Sequence, residues 1–377
     1  MSEPGFDPRR SEDNQRFSEE REARLLEIRR RAEEAGAVTA AGVRLEGAPF
    51  PVASPETGYY GVPLLKEPQW TQEIPVYLFL GGMAGASAVI GAVANWTGED
   101  RIARDARFLA AGGAIASSGL LISDLGRPAR FLAMLRMFKP QSPMSMGAWL
   151  LGGFGTFSGA AAFAQILADR YGWGAFRILG NAAEGFSALF GLPFSNYTGV
   201  LLGATVIPVW NHNVKTLPVH FGMSGLNAAV SALELMGNDG SPALNRLGIA
   251  SSALETYEGF HLEFKRDPKV NEPLKHGKSG WVTRVGGVLS GPVPLALRIA
   301  AEFAGRSDAR RMRRAAAVSS IAGSVLTRFG WVMAGHASAK DWRLPLREKP
   351  QERVEEMPAH DERPRVRDVV DEDVATL

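Results

Sequence analysis

The chain has 377 residues, no cysteine, and 42 Lys and Arg against 40 Asp and Glu, for a formal net charge of +2. Lack of Cys excludes disulfides, thiolate zinc sites and iron–sulfur clusters ligated by this chain, and basic residues confined to short loops exclude a nucleic-acid-binding face. A mean hydropathy of −0.06 would suit a soluble protein, but it arises only because charged ends cancel a strongly apolar middle.

Residues 1–69 read as a charged N-terminal tail. Its segment "SEEREARLLEIRRRAEEAGA" is helix-forming, with Leu25, Leu26 and Ile28 as its sizeable apolar contacts, so it is expected to be solvated or bound to a partner. No apolar stretch follows a basic start here, so a signal peptide is not expected. From Ile74 the segment "IPVYLFLGGMAGASAVIGAVANW" runs without a charge and is long enough to cross about 30 Å of hydrocarbon. Further spans are expected at 106–123, 145–168, 186–210, 216–236, 245–264, 281–303 and 315–336, which makes eight. Gly and Ala recur inside them, as in "LGGMAGAS" and "AAGGAIASSG", and small residues let helix backbones approach where no water drives side chains together. A soluble bundle would instead show a polar stripe on each helix, which the first three segments lack. The organisation expected is a tail over 1–69, an eight-span domain over 70–338 and a polar tail over 339–377. Both termini then share a face, and a slight excess of Lys and Arg beside the spans assigns that face to the cytoplasm.

Charge is concentrated in the loop between the second and third spans, "DLGRPARFLAMLRMFKPQSPMSMGAW". Anchoring at the membrane surface accounts for Arg127, Arg130, Arg136 and Lys139, but not for Asp124 at the membrane end of a span, nor for the two prolines around Ser142. Within the spans, ionisable residues cost about 2.5–3.5 kcal/mol each and usually face a bundle interior with a partner. The sixth span places Glu255, Glu258 and His261 at i, i+3 and i+6, a candidate proton relay or ion-pair network. Glu234 ends the fifth span, and Arg328 within the last needs an acid, for which Asp124 and Glu258 lie in the same half of the bilayer. His220, His261 and His336 leave a bis-histidine haem to be considered, although nothing else in the sequence supports one.

"YLFLGGMAGAS", "DLGRPARF" and "FKPQSPMSMGAW", in this order and at these places relative to the spans, resemble the NrfD or polysulfide-reductase-type membrane subunit family over about 70–336. The resemblance implies an all-α integral membrane protein, eight transmembrane helices as two four-helix bundles, in the bacterial cytoplasmic (inner) membrane. It implies a quinone or quinol (menaquinone or ubiquinone) as the redox ligand, with no intrinsic haem or iron–sulfur cluster. The implied partners are a ferredoxin-like iron–sulfur subunit, often with a molybdopterin oxidoreductase or other large redox assembly. Gln72 in "WTQEIPVY" and Tyr197 in "SNYTGVLL" match the family's quinone contacts, with Glu73 and Ser142 as neighbouring candidates and Arg127, Arg130 and Lys139 as the partner-facing loop. One departure is Pro75, which stands where the polysulfide reductase pattern has a histidine, so Glu73 or Gln72 must substitute as donor. The expected role is a non-autonomous subunit relaying electrons between quinone and the partner's clusters. The alternatives are a proton-translocating coupling module and a purely structural anchor.

Overall fold

The computed structural model describes residues 65–68, 70–124, 134–264 and 270–341, together with Glu27 and Arg30. Arg127 and Arg130, most of the N-terminal tail and the chain beyond 341 lie outside the described residues.

The fold is all-α. In chain order the helices are α1 (Glu73–Thr97), α2 (Asp100–Asp124), α3 (Pro143–Tyr171), α4 (Gly174–Gly203), the short α5 (Pro208–His212), and α6 (Leu217–Leu233), which continues into a π turn at Glu234–Asn238. They are followed by α7 (Pro242–Phe264), the short α8 (Glu272–Lys275), α9 (Gly277–Ser290), α10 (Pro292–Phe303) and α11 (Arg306–Lys340). Four of them, α1, α2, α3 and α11, are long and apolar enough to cross a membrane. Local chemistry sets the boundaries. Ser142 caps α3 by accepting from Ser145 N, and Pro143 follows where no N–H is needed. Gly172 ends the same helix in the left-handed region at φ 69°.

α1 is the central helix, packed on α2, α4, α6 and α11, and most of its length is buried. Its glycines explain how it fits there. A β-carbon on Gly85 would stand 2.4 Å from the carbonyl oxygen of Gly191 on α4, so the two backbones touch directly. That is the packing available to helices in lipid, where close backbone contact and dispersion replace the water-driven burial of large side chains.

Contacts distant in sequence gather at two ends. One end joins the start of α1 to the end of α2, the start of α3 to α4, and α5 to α11. The other joins α2 to α4 through Arg107 and Glu184, and the π turn to α10 and α11 through Glu234, Arg298, Asp239 and Arg310.

The expected seventh span, 281–303, is not one helix. It is α9 and α10, separated at Gly291, because Pro292 lacks an N–H and its ring forbids the continuing turn. Two carbonyls freed by the break are recaptured: Asn227 Nδ2 donates to Ser290 O at 2.8 Å, and Ser319 Oγ donates to Leu289 O at 2.8 Å. A helix break inside a packed, water-poor region requires such side-chain donors.

Candidate functional site

The end that carries the start of α1 collects several of the residues singled out above. Thr71 Oγ1 donates to Asp124 Oδ1 at 2.9 Å, tying the approach to α1 to the last residue of α2. Gln72 follows, exposed at the N-terminus of α1 and not used as its cap, while Glu73 is half-buried in the first turn. Trp70 stacks on Trp210 with ring centroids 4.8 Å apart, and the buried Trp210 donates its Nε1–H to the Trp331 carbonyl at 2.8 Å. A stacked, hydrogen-bonded indole pair fixes the segment preceding α1 against α5 and α11.

Tyr197, in the last turns of α4, donates its hydroxyl to the carbonyl of Pro143 at the start of α3. Its ring lies on Gly147, where any β-carbon would collide with it, so the α3 sequence "PMSMG" shapes the seat for this ring. Tyr77 of α1 lies within electrostatic reach of the Tyr197 phenol. Ser142 serves as the α3 cap, and Lys139 is exposed on the approach to it. Gln72, Glu73, Asp124, Ser142 and Tyr197 are therefore all carried at helix termini or last turns on one end of the molecule. Pro75 is buried in the first turn of α1.

The ionisable residues of the later helices separate into two sets. Glu234 forms a buried ion pair with Arg298, whose other nitrogen donates to Ser231 Oγ at 3.1 Å; this set sits at the opposite end. Glu255 is buried, with the hydroxyls of Ser224 and Ser290 against its carboxylate, and it is the acid that acts on Arg328. Arg328 donates to the Phe221 carbonyl at 3.0 Å and lies 3.9 Å over the Phe221 ring. Glu255 is thus an acid acting on Arg328 that the sequence reading did not pair with it. Glu258 and His261 are half-buried, and His261 packs beside the Tyr257 ring. Six residues at about 100° each turn His261 roughly 120° away from Glu255, so α7 does not aim the three at one point.

Sequence reasoning missed several groups. Arg107 and Glu184 form a buried ion pair of 2.7 Å, with Gln165 and Asn181 as further acceptors at 2.5 and 2.6 Å. Asn227, besides capping the α9 break, accepts from Ser251 and Ser252 at 3.2 and 3.3 Å. The signal for Asn227 was a lone amide in the apolar run "GLNAAV". Outside the spans, Glu67 is held by Lys340 at 3.0 Å and by His336 at 3.1 Å. Partial burial opposes its ionisation, but those two hydrogen bonds prevail and hold its carboxyl below the usual value.

This arrangement, all-α with helices of membrane-crossing length and apolarity, defines an integral membrane protein. Residues 65–237 match the family model described as "Polysulphide reductase, NrfD", which makes the chain a membrane protein related to that family. A comparison with curated proteins gave no match. The matched segment contains Gln72, Glu73, Asp124, Ser142, Tyr197 and Glu234; Glu255, Glu258, His261 and Arg328 fall beyond it. Among the described residues no group of His, Cys, Asp and Glu is placed to hold a metal ion.

Proposed function

We propose that the protein is a quinone-binding membrane subunit of a multisubunit oxidoreductase, passing electrons between a quinone pool and the iron–sulfur clusters of a ferredoxin-like partner. The observation that supports this reading is the family match over 65–237 together with the Thr71–Asp124 and Tyr197–Pro143 hydrogen bonds, both at the end of the matched helices that carries Gln72. In this reading α4, α6 with its π turn, α7, and α9 with α10 also cross the membrane, giving eight spans as two four-helix groups in a bacterial inner membrane. α6 has 17 residues before its π turn, and the break at Gly291 leaves α9 and α10 with 14 and 12, so in this reading α6 spans together with its turn and α9 together with α10.

The chemistry asked of the residues is limited. A quinone supplies the two-electron, two-proton couple, and its head group presents two carbonyl oxygens. Gln72 is exposed with an amide donor for one of them. Tyr197 is placed by Gly147 and Pro143 to present its phenol to the other by exchanging its bond to Pro143. Asp124, oriented by Thr71, is a carboxylate held beside the approach to α1 and would take up or return a proton at its other oxygen. The exposed Lys139 and the loop leading to it belong to the partner-facing surface. The partner, a ferredoxin-like subunit with a molybdopterin enzyme or another redox assembly, would supply every cluster this Cys-free chain lacks.

The test is Tyr197→Phe and Gln72→Ala in the intact assembly. Each is expected to raise the quinone KM or lower turnover by about tenfold, the worth of one desolvated hydrogen bond. Unchanged kinetics in both would leave a structural anchor. A second reading, proton translocation, is favoured by Glu255 with Arg328 and Glu234 with Arg298 buried at successive depths of one helix group. In sealed vesicles, a pH gradient beyond the protons of quinone chemistry itself would support it.

A further inference from the structure

We infer that the later helices hold a second ligand site, for a neutral, lipid-soluble molecule bearing a hydroxyl group, of the quinol type. It does not depend on the Tyr197 end being a quinone site.

A cavity of 360 Å³ lies among α6, α7, α9, α10 and α11, at the low end of the range of about 300–1,000 Å³ for small-molecule sites. Its mouth is rimmed by Phe260, Phe264 and Val288, all exposed. With α7 and α9 crossing the membrane as proposed above, an opening rimmed in this way faces hydrocarbon, and its occupant arrives from lipid. Room is real at the wall: β-carbons built on Gly259 or Gly287 meet nothing within 4 Å.

Glu255 and Trp331 on the lining each keep a polar atom unpaired. Glu255 is 4% exposed and Trp331 1% exposed, and neither Glu255 Oε1 nor Trp331 Nε1 has a hydrogen-bond partner among the described residues. The neighbouring hydroxyls are already used: Thr256, Thr283 and Thr327 each donate to the carbonyl one turn back, of Ser252, Ser279 and Gly323. A buried polar atom without a partner is costly, and native proteins keep few of them without a reason. These atoms are a carboxyl oxygen and an N–H donor. A hydroxyl serves both, accepting from the Trp331 indole and donating to Glu255. An ammonium, which only donates, would leave the Trp331 indole unmet.

Two photoreactive probes with the same alkyl-diazirine tail test this on the purified full-length chain in phosphatidylcholine nanodiscs. One carries a hydroquinone head and the other a plain phenyl head. The hydroquinone probe is expected to label residues 254–264 and 283–288 about tenfold more than the phenyl probe, for the hydrogen bonds the latter cannot make. Filling the wall with Gly259→Leu or Gly287→Leu is expected to cut that labelling about tenfold, and Tyr197→Phe to leave it unchanged. Glu255→Gln, which keeps the volume, is expected to weaken it as well. Equal labelling by both probes would make the cavity a crevice for lipid tails and overturn the proposal. So would labelling that survives both filled variants, or no labelling of these segments in the unaltered chain. Loss of quinone-linked turnover in Tyr197→Phe with this labelling intact separates the two sites; labelling absent while turnover persists removes only the second.

Discussion

Replacing Glu184 by Leu should be among the most damaging single changes in the first helix group. The Arg107 guanidinium donates to Glu184 Oε2, Gln165 Oε1 and Asn181 Oδ1 at 2.7, 2.5 and 2.6 Å, in a site where Arg107 is 5% and Glu184 2% exposed. Glu184→Leu strands a side chain that stays charged, with two neutral acceptors and no counter-ion. Breaking a buried pair in this way costs about 3–5 kcal/mol. The two acceptors that remain put this case at the lower end, about 3 kcal/mol. Arg107→Leu with Glu184→Leu removes both charges and leaves the amides of Gln165 and Asn181 facing a void the leucines fill. That double change is expected within about 1 kcal/mol of the unaltered protein, because apolar replacement of a buried pair is often neutral. The double variant is therefore expected to be more stable than Glu184→Leu by about 2 kcal/mol. Unfolding in mixed micelles of rising SDS content, followed by tryptophan fluorescence, reads all four proteins. A double variant as unstable as Glu184→Leu would show that the pair matters through packing and not charge. A single variant losing less than about 1 kcal/mol would mean that water reaches Arg107, and the burial argument would fail. The pair lies at the end opposite Tyr197 and Asp124, so Glu184→Gln is expected to leave quinone-linked turnover per folded chain unchanged.

Gly85→Leu drives a side chain against the Gly191 carbonyl and should separate α1 from α4; most of the folded, monodisperse protein is expected to disappear on size-exclusion chromatography, and a normal profile would contradict the close approach. Asn227→Leu uncaps Ser290 O and removes the acceptor of Ser251 and Ser252, for a loss of about 1–3 kcal/mol in the same SDS titration. Glu67 has its pKa lowered, so its link to Lys340 and His336 contributes fully above the ordinary value of 4.5 and is lost as pH falls through the lowered one. Because Glu67 is 45% exposed, that contribution is expected below about 1 kcal/mol, and Glu67→Gln should remove the small melting difference between pH 7 and pH 4.

The first helix was the most legible element: 74–96 was expected and Glu73–Thr97 is found, because a charge-free run of that length leaves few alternatives. The ends of α2 and α4 were less so. Hydropathy trims charged residues from a span, and it trimmed Arg107 close to an end and Glu184 out altogether, whereas pairing lets both enter the packed interior. The seventh span failed for a different reason. Apolar content over 281–303 is continuous, and only the "SGPVP" punctuation carries the break that turns it into α9 and α10. At the candidate site, sequence patterns located Gln72, Asp124 and Tyr197 on one end, but the threonine that orients Asp124 and the tryptophan pair behind it depend on contacts between segments more than 50 residues apart. Spacing along a chain holds no information on such contacts.

The break at Gly291 also connects the polar interior to the cavity. Ending α9 there exposes backbone carbonyls, and the donors that recapture them are Asn227, to which Ser251 and Ser252 also bond, and Ser319, while Ser224, bonded to Ser324, and Ser290 meet at the Glu255 carboxylate. A region made polar for that structural reason is one in which Glu255 and Arg328 can be buried at lower cost than among Leu and Ile. Gly287 and Pro292, on either side of the break, both line the cavity, so the same interruption that creates the polar cluster also opens the space beside it. A continuous helix over 281–303 would carry its side chains past this level and would need neither Asn227 nor the serines. The separation of roles follows: α1 to α4 carry the end with Tyr197, while α6 and the helices after it maintain a break whose upkeep takes several buried polar residues. Such upkeep is hard to account for as anchoring alone, since an unbroken apolar helix anchors at least as well.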